Sequence, residues 1–552
     1  MGKKSSSKSN YIMQGSILAI ASIVSRIIGL LYRLPMTNII TDHGNDYYSA
    51  AYEIYNVILL ISSYSLPLAV SKVVSAKVAL GEYRNSWRAF KGALYMALVV
   101  GAAGSALTFF GAGFFTGTLL NTPESELCLK VLALAVFVMA VMGVLRGFFQ
   151  GMGTMMPTAI SQIIEQIVNA IVSIAAASYL FSYGVKLDAA AGITNGKSGA
   201  IYGAAGSTLG TSLGAAAGLL FLIIVMLMYN RVLQKNMRRD HVSRQESYAS
   251  TLRVLIMTIV PVILSTAVYN ISGIVDQGVF KYLMLDVQKA DKSTVEIYWG
   301  IYVGKYKLLT NVPIAVASAL SASTIPALTR ARISGDWDEM RKKTEGAIRM
   351  VMMICIPSAF GLTALGEPIL DLLSWNTNEI APKLFLIGSA SVIFYGLSTL
   401  TNGILQGIDR MQIPVRNAVI ALVTHLLLMI SLVQLGKLHI YGVVLAYMFF
   451  AILMCILNGA AIRKHLDYHQ EIKRTFLIPG VSSLIMALAV WLLYQPLHKV
   501  IGVRISTLLC LILAVIIYAF FVLLLHGITE EELKSFPKGR TIVRILKRIH
   551  LI

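Results

Sequence analysis

GFFQGMGTMMP at residues 147–157 recurs as GILQGIDRMQIP at 403–414. Gly147, Gln150, Gly151, Met155 and Pro157 align with Gly403, Gln406, Gly407, Met411 and Pro414, with one residue inserted before the second proline. Small residues and prolines recur by chance in apolar sequence, but a glutamine held between glycines at fixed spacing is too specific for that. A second pair, LPLAVSKVVSA at 66–76 and VPIAVASALSA at 312–322, repeats in the same order. Two related halves in tandem are the arrangement of many transporter folds.

The sequence around these motifs belongs in a bilayer. Of 552 residues, 56% are apolar and 13% charged, against roughly 45–50% and about 25% in soluble domains; the mean hydropathy is +0.71. Apolar runs of membrane-spanning length predict an all-α polytopic protein with about fourteen transmembrane helices. The expected spans are 11–34, 48–79, 91–116, 128–149, 157–182, 200–229, 254–282, 298–328, 349–366, 383–405, 416–436, 441–462, 476–495 and 504–526. Each repeat is displaced by six spans, an even number, which preserves orientation. The halves are therefore expected as two six-helix lobes related by a pseudo-two-fold axis along the membrane normal. This organisation gives an N-lobe at 1–229, a basic linker at 230–253, a C-lobe at 254–462, two appended helices within 476–526 and a basic tail at 527–552.

Charge sets the orientation. Lys and Arg cluster in the N-terminal tail (Lys3, Lys4, Lys8), in every second connection (Arg84 and Arg88; Arg238, Arg239 and Arg244; Arg341, Lys342 and Lys343; Arg463 and Lys464), and in the final tail. The alternate connections are poor in Lys and Arg and often acidic, as at Asp42 and Asp46, Glu124 and Glu126, or Glu367, Asp371 and Glu379. By the positive-inside rule both termini are cytoplasmic. The net charge of +20 then reflects topology and attraction to anionic lipids, and no nucleic-acid partner is implied. Cys128, Cys355, Cys455 and Cys510 form no Cys-x-x-Cys pair, so no metal site or disulfide framework is expected. The N-terminal stretch lacks a cleavage-like site and reads as an uncleaved first span.

Function falls to polar residues inside the spans. A cation at a span centre costs roughly 2.5–3.5 kcal/mol on insertion scales. Arg26 and Arg33 in the first expected span, Lys72 in the second, and Lys305 and Lys307 in the eighth must therefore meet partners or a wet cavity, unless they snorkel. Arg26 and Arg33 are two turns apart and share a face; Lys305 and Lys307, two residues apart, do not. Facing one another across a cleft between lobes, these cations would attract an anion, and Arg forks suit phosphate oxygens in particular. Glu165 and Asp276 either pair with cavity cations or bind a coupling Na⁺ or proton; Glu53 lies near the outer interface and is expected to be solvated. Gly29, Pro67 and Pro313 interrupt or flank apolar helices and are candidate hinges. There is no phosphate-binding Gly-rich loop with its Lys, no His-Glu-x-x-His helix and no soluble domain able to hold a nucleotide, which argues against an enzyme or an ATP-driven pump.

SRIIGLLYR in the first span, LPLAVSK in the second, RGFFQGMGTMMPTAISQIIEQIVN across the fourth and fifth and NVPIAVASALSASTIPALTR in the eighth resemble the polysaccharide-export branch of the multidrug/oligosaccharidyl-lipid/polysaccharide (MOP) exporter superfamily. Most similar is the branch of stage V sporulation protein B and the MurJ-like lipid II flippases. The resemblance implies a multi-pass protein of the bacterial cytoplasmic membrane, without a resident cofactor. It would flip an undecaprenyl-diphosphate-linked saccharide, lipid II in the MurJ-like case, to the outer leaflet. Cell-wall synthesis machinery is an implied partner. Arg26 matches the family's first span-1 arginine, Arg33 matches the second with one extra residue of spacing, and Lys72 and Lys305 or Lys307 stand where arginines are expected. Three rivals are a flippase for another lipid-linked polysaccharide unit, a Na⁺- or proton-coupled multidrug exporter, which should have an acid-dominated cavity, and a non-transporting scaffold.

Overall fold

The computed structural model describes residues 2–64, 66–193, 196–242, 246–375 and 379–528. The basic tail beyond residue 528 and Arg244 lie outside them, as do the side chains of Lys3, Lys4 and Lys8. Among the described residues the chain forms helices joined by turns, the arrangement hydrocarbon demands because every backbone group must be satisfied within its own segment. The helices are α1 Gly2–Leu59, α2 Leu66–Ala79, α3 Tyr83–Phe110, α4 Glu126–Gly151, α5 Met156–Ala190, α6 Lys197–Arg238, α7 Tyr248–Lys281 and α8 Lys292–Ile301. They continue as α9 Leu308–Ile333, α10 Trp337–Leu372, α11 Ile380–Gly388, α12 Ser391–Gly407, α13 Gln412–Ile430, α14 His439–Leu466, α15 Ile478–Ile501 and α16 Val503–Leu524.

Length and composition qualify 11 segments as membrane spans among the described residues, or up to 12 if the bent pair α11–α12 is one span. Sequence reading expects about fourteen. Ile20–Ala79 qualifies as one stretch of 60 residues, with a kink at Thr41, where two spans were expected, and α7 runs through the expected seventh span.

The kink lies within the expected loop at 35–47. Asp42, Asn45 and Asp46 read as loop residues, yet they are helical, at the start of the second of two helices that meet at the non-helical Thr41 (φ 66°, ψ 179°). Asn45 stabilises the break by donating to the carbonyls of Thr37 at 3.1 Å and Thr41 at 2.7 Å, so acceptors near it find a donor. The break in α1 therefore falls at Thr41, well beyond Gly29.

The chain divides into two compact units, Met1–Val303 and Gly304–Ile552. In the first, α5 and α6 pack along a stripe of small residues. A Cβ on Gly206 would come within 2.5 Å of the Ala176 carbonyl oxygen, and one on Gly214 within 2.6 Å of that of Glu165. Only glycine permits this approach, the usual basis of close helix pairing in lipid. Phe90, Phe148 and Phe149 fill the core beside α2 and α4, and Tyr47, Ile54 and Leu129 belong to a second cluster. In the second unit Val351, Met352, Leu400 and Ile404 form the main cluster, and Leu365, Met486 and Val490 a smaller one against α15 and α16. Large apolar side chains such as Phe110, Leu227 and Val515 remain exposed, as lipid-facing surfaces require.

The repeated glycines have the same job in each unit. A Cβ on Gly147 would lie 2.7 Å from the Pro67 carbonyl oxygen and 2.9 Å from Val70 Cβ, and one on Gly151 2.6 Å from Val74 Cβ, so α4 crosses α2 at backbone contact. Gly403 and Gly407 bring α12 equally close to Ser321 and Leu328 of α9. The register departs from the sequence alignment. Matching LPLAV to VPIAV would put Pro313 where Pro67 sits, but the glycines meet α9 about two turns further along. The short apolar motif is ambiguous in an alanine- and serine-rich helix, whereas the steric demand at the crossing is not.

Candidate functional site

A chamber of about 370 Å³ opens between α1, α2, α4 and α5 in the first unit. Its walls carry Ser22, Ser25 and Arg26 from α1, Ser63 and Pro67 beside the start of α2, Arg146 and Gln150 from α4, and Thr158, Gln162, Glu165 and Gln166 from α5. The glycine crossing of α4 on α2 sets one wall: Gly143, a further lining residue, faces Pro67. The small-residue stripe of α6 supports α5 behind Glu165.

Arg146 and Glu165 form an ion pair of 2.7 Å, with side chains 11% and 14% exposed. Arg146 also donates from Nε to Ser161 Oγ at 3.0 Å. Its charge is thus neutralised locally by Glu165. Arg26 is exposed at the chamber and has no ion pair among the described residues. It is the guanidinium left available.

The other expected cations are placed differently. Arg33 is half-buried, its guanidinium 5.1 Å from the centroid of the Tyr48 ring. Tyr48 stacks on Tyr52 at 4.6 Å, and Tyr52 shares a 2.6 Å hydrogen bond with Thr211. Arg26 and Arg33 thus occupy separate surroundings, despite the face that two-turn spacing gives them. Lys72 is exposed on α2. Lys305 and Lys307 lie on an irregular, wide-turned segment, Tyr302–Lys307, at the start of the second unit. Lys305 is buried, while Lys307 is half-buried with Nζ 5.2 Å from the Tyr447 ring centroid. Two residues of separation do place them differently.

Asp276 is buried in α7, a helix that also carries an ion pair sequence reading missed. Lys281 donates to Asp46 at 2.7 Å, with side chains 1% and 0% exposed; Gln277 donates to the other Asp46 oxygen at 3.2 Å, and Thr122 is a further Lys281 partner. Asp46, expected in an exposed acidic loop, is instead half of a dry ion pair. Glu53, expected to be solvated, is half-buried, its carboxylate filling the space a Cβ on Gly273 would need. Arg146 and Lys281 both lie inside expected spans, so the test that singled out Arg26 would have flagged them.

Gly29 backs onto Gln166, whose Oε1 lies 3.4 Å from where a Cβ would stand. Gln150 lines the chamber, and Pro157 sits at the first turn of α5, where its missing N–H is harmless. Gln406 and Pro414, their counterparts, fall on α12 and α13. Pro313 lies on a different feature, an apolar groove of about 460 Å³ in the second unit formed with Pro357, Leu365, Met486, Leu511 and Tyr518. Among the described residues no cluster of His, Cys, Asp and Glu is placed to hold a metal ion.

Comparison with known proteins fits this architecture. The profile described as "Polysaccharide biosynthesis protein" matches residues 13–332, and the MatE profile matches 307–431. The chain is 25% identical to lipid II flippase MurJ of Bacillus subtilis (strain 168) over 497 residues, covering 87% of this chain and 88% of the relative. It is 22% identical to stage V sporulation protein B of the same organism over 466 residues, covering 84% and 86%. A solved structure of lipid II flippase MurJ in an inward closed conformation superposes with a TM-score of 0.61 at 16% identity, covering 91% of this chain and 97% of that one. The chain belongs to the polysaccharide biosynthesis protein family and is a multi-pass cell-membrane protein.

Proposed function

We propose that this member of the polysaccharide biosynthesis protein family is a flippase. Its cargo is an undecaprenyl-diphosphate-linked saccharide, lipid II first among them, carried from the inner to the outer leaflet by alternating access. The observation that carries the reading is Arg26, an available guanidinium at a polar chamber whose other guanidinium is held by Glu165. A forked cation in a low-dielectric wall is suited to a phosphate oxygen. Arg33, Lys72, Lys305 and Lys307 are assigned as further cargo cations, with Lys72 the most accessible of the lysines. The groove around Pro313 has the apolar character that a polyprenyl chain needs. Gly29, Pro67 and Pro313 are assigned as hinges. Both termini are assigned to the cytoplasm, where the basic loops meet anionic lipids.

Outward movement of an anion is favoured by an inside-negative potential, at about 2.3 kcal/mol per charge per 100 mV. A coupled Na⁺ or proton is the other source of drive. The test is leaflet accessibility of lipid II in proteoliposomes, with an imposed potential or ion gradient. The wild type should move lipid II and Arg26→Ala should not, at equal protein levels. If another prenyl-diphosphate saccharide crosses and lipid II does not, the cargo assignment fails and the mechanism stands.

One observation favours a second reading. The MatE profile over residues 307–431 fits a cation-coupled drug exporter, which would move organic cations under a Na⁺ or proton gradient and ignore prenyl diphosphates.

A further inference from the structure

We infer that the chamber of the first unit is a subsite for the uncharged, hydroxyl- and N-acetyl-bearing sugars of the cargo, with Gln150, Gln162 and Gln166 as its specificity-determining residues. This rests on the flippase reading and deepens it.

Charge is the first argument. The chamber holds two guanidiniums and one carboxylate, and Arg146 is spent on Glu165 and Ser161. One available cation, Arg26, remains. A diphosphate carries more than one negative charge, so the chamber is under-supplied for the whole diphosphate and suited to a largely neutral group beside it. A coupling cation is disfavoured there by the same two guanidiniums.

The second argument is what the chamber offers instead. Three carboxamides line it, each able to donate two hydrogen bonds and accept others, the complement of sugar hydroxyls and N-acetyl groups. Gln162 and Gln166 are four residues apart and so project from one face of α5. Ser22 Oγ donates to Gln162 Oε1 at 3.2 Å, which orients that amide and leaves its N–H₂ to donate elsewhere. Ser25 Oγ is buried without a hydrogen-bond partner among the described residues. A hydroxyl and amides gathered in a membrane-embedded wall are costly unless a polar occupant satisfies them. The volume of about 370 Å³ falls within the roughly 300–1,000 Å³ of small-molecule sites. A site built to hydrogen-bond its substrate strongly rejects analogues lacking those groups.

The experiment uses the full chain in nanodiscs and two probes, bare undecaprenyl diphosphate and the same lipid carrying an N-acetylated disaccharide. The double variant Gln162→Leu/Gln166→Leu is expected to weaken binding of the disaccharide lipid by about tenfold or more and to leave the bare lipid within about twofold. Gln166→Asn, which keeps the amide but withdraws it, is expected to lie between wild type and the double variant. Arg26→Ala should weaken both probes. Equal weakening of both probes by the glutamine variants, or no change in either, would overturn the subsite. Unchanged thermal midpoints exclude misfolding as the cause. If the wild type binds neither probe, the flippase reading itself fails, an outcome distinct from a selective loss that does not materialise.

Discussion

Glu165 of α5 holds Arg146 of α4 in a 2.7 Å ion pair at the wall of the chamber that Arg26 also lines. The two arginines look alike in the sequence, yet one is fixed in place and the other is available. Breaking the pair from one side should be worse than removing it altogether, because a lone partly buried carboxylate keeps its desolvation penalty. Arg146→Ala is expected to destabilise the protein by about 2–4 kcal/mol, a little below the cost for a dry pair because the chamber is open. The double variant Arg146→Ala/Glu165→Gln should recover most of that loss. Thermal unfolding in detergent measures both, and a double variant no more stable than the single one would contradict the account.

The pair Asp46–Lys281 is drier, with side chains 0% and 1% exposed. Lys281→Met should therefore cost about 3–5 kcal/mol, more than Arg146→Ala. Adding Asp46→Asn should restore stability, since no buried charge is then left unpaired and Gln277 remains to bond the amide oxygen. The order of the two single variants in a melting series is the check.

The glycine crossings predict opposite signs for one chemical change. Gly151→Ala places a Cβ 2.6 Å from Val74 Cβ and should destabilise by about 1–3 kcal/mol through forced separation of α2 and α4. Gly459 in α14 has open space around its Cβ position, so Gly459→Ala should be neutral or stabilise by up to about 1 kcal/mol through helix propensity. Melting temperatures of the two variants moving in the same direction would refute the steric argument.

Arg26→Ala should lower transport of a prenyl-diphosphate lipid by about tenfold or more, the effect of losing a charge-assisted hydrogen bond. Arg26→Lys should retain part of it, because a point charge replaces a fork. Initial rates in proteoliposomes at matched protein density decide this.

Glu471 gives a pH-dependent contribution outside the spans. Burial pushes its carboxyl up, but the Arg474 N–H at 2.8 Å and the Thr475 N–H and hydroxyl, each at 2.9 Å, outweigh this and hold it below the ordinary carboxylate value. A carboxyl lowered in the folded state stabilises fully above its unfolded value, and that stability is lost as pH falls through the folded one. The contribution, about 1 kcal/mol as for other caps, should fade under acid conditions. Glu471→Gln should flatten the acid limb of a melting-temperature profile, which a pH series would reveal.

The membrane-spanning character of most helices was legible in the sequence, as were the repeated glycine motif and some of the cations worth examining. Hydropathy adds residue by residue along a helix, and the glycine–glutamine motif is conspicuous by its spacing alone, although its contacts are with other helices. Arg26 stood out because a charge in an apolar run is conspicuous anywhere. The sequence could not show that Asp46 is dry, that Arg146 is neutralised, or that Gly403 meets Ser321 and not Pro313. Each depends on a partner from another helix. In a low-dielectric interior the nearest partner outweighs the residue's own chemistry, so only the tertiary structure decided which charges were spent on folding and which remained for cargo.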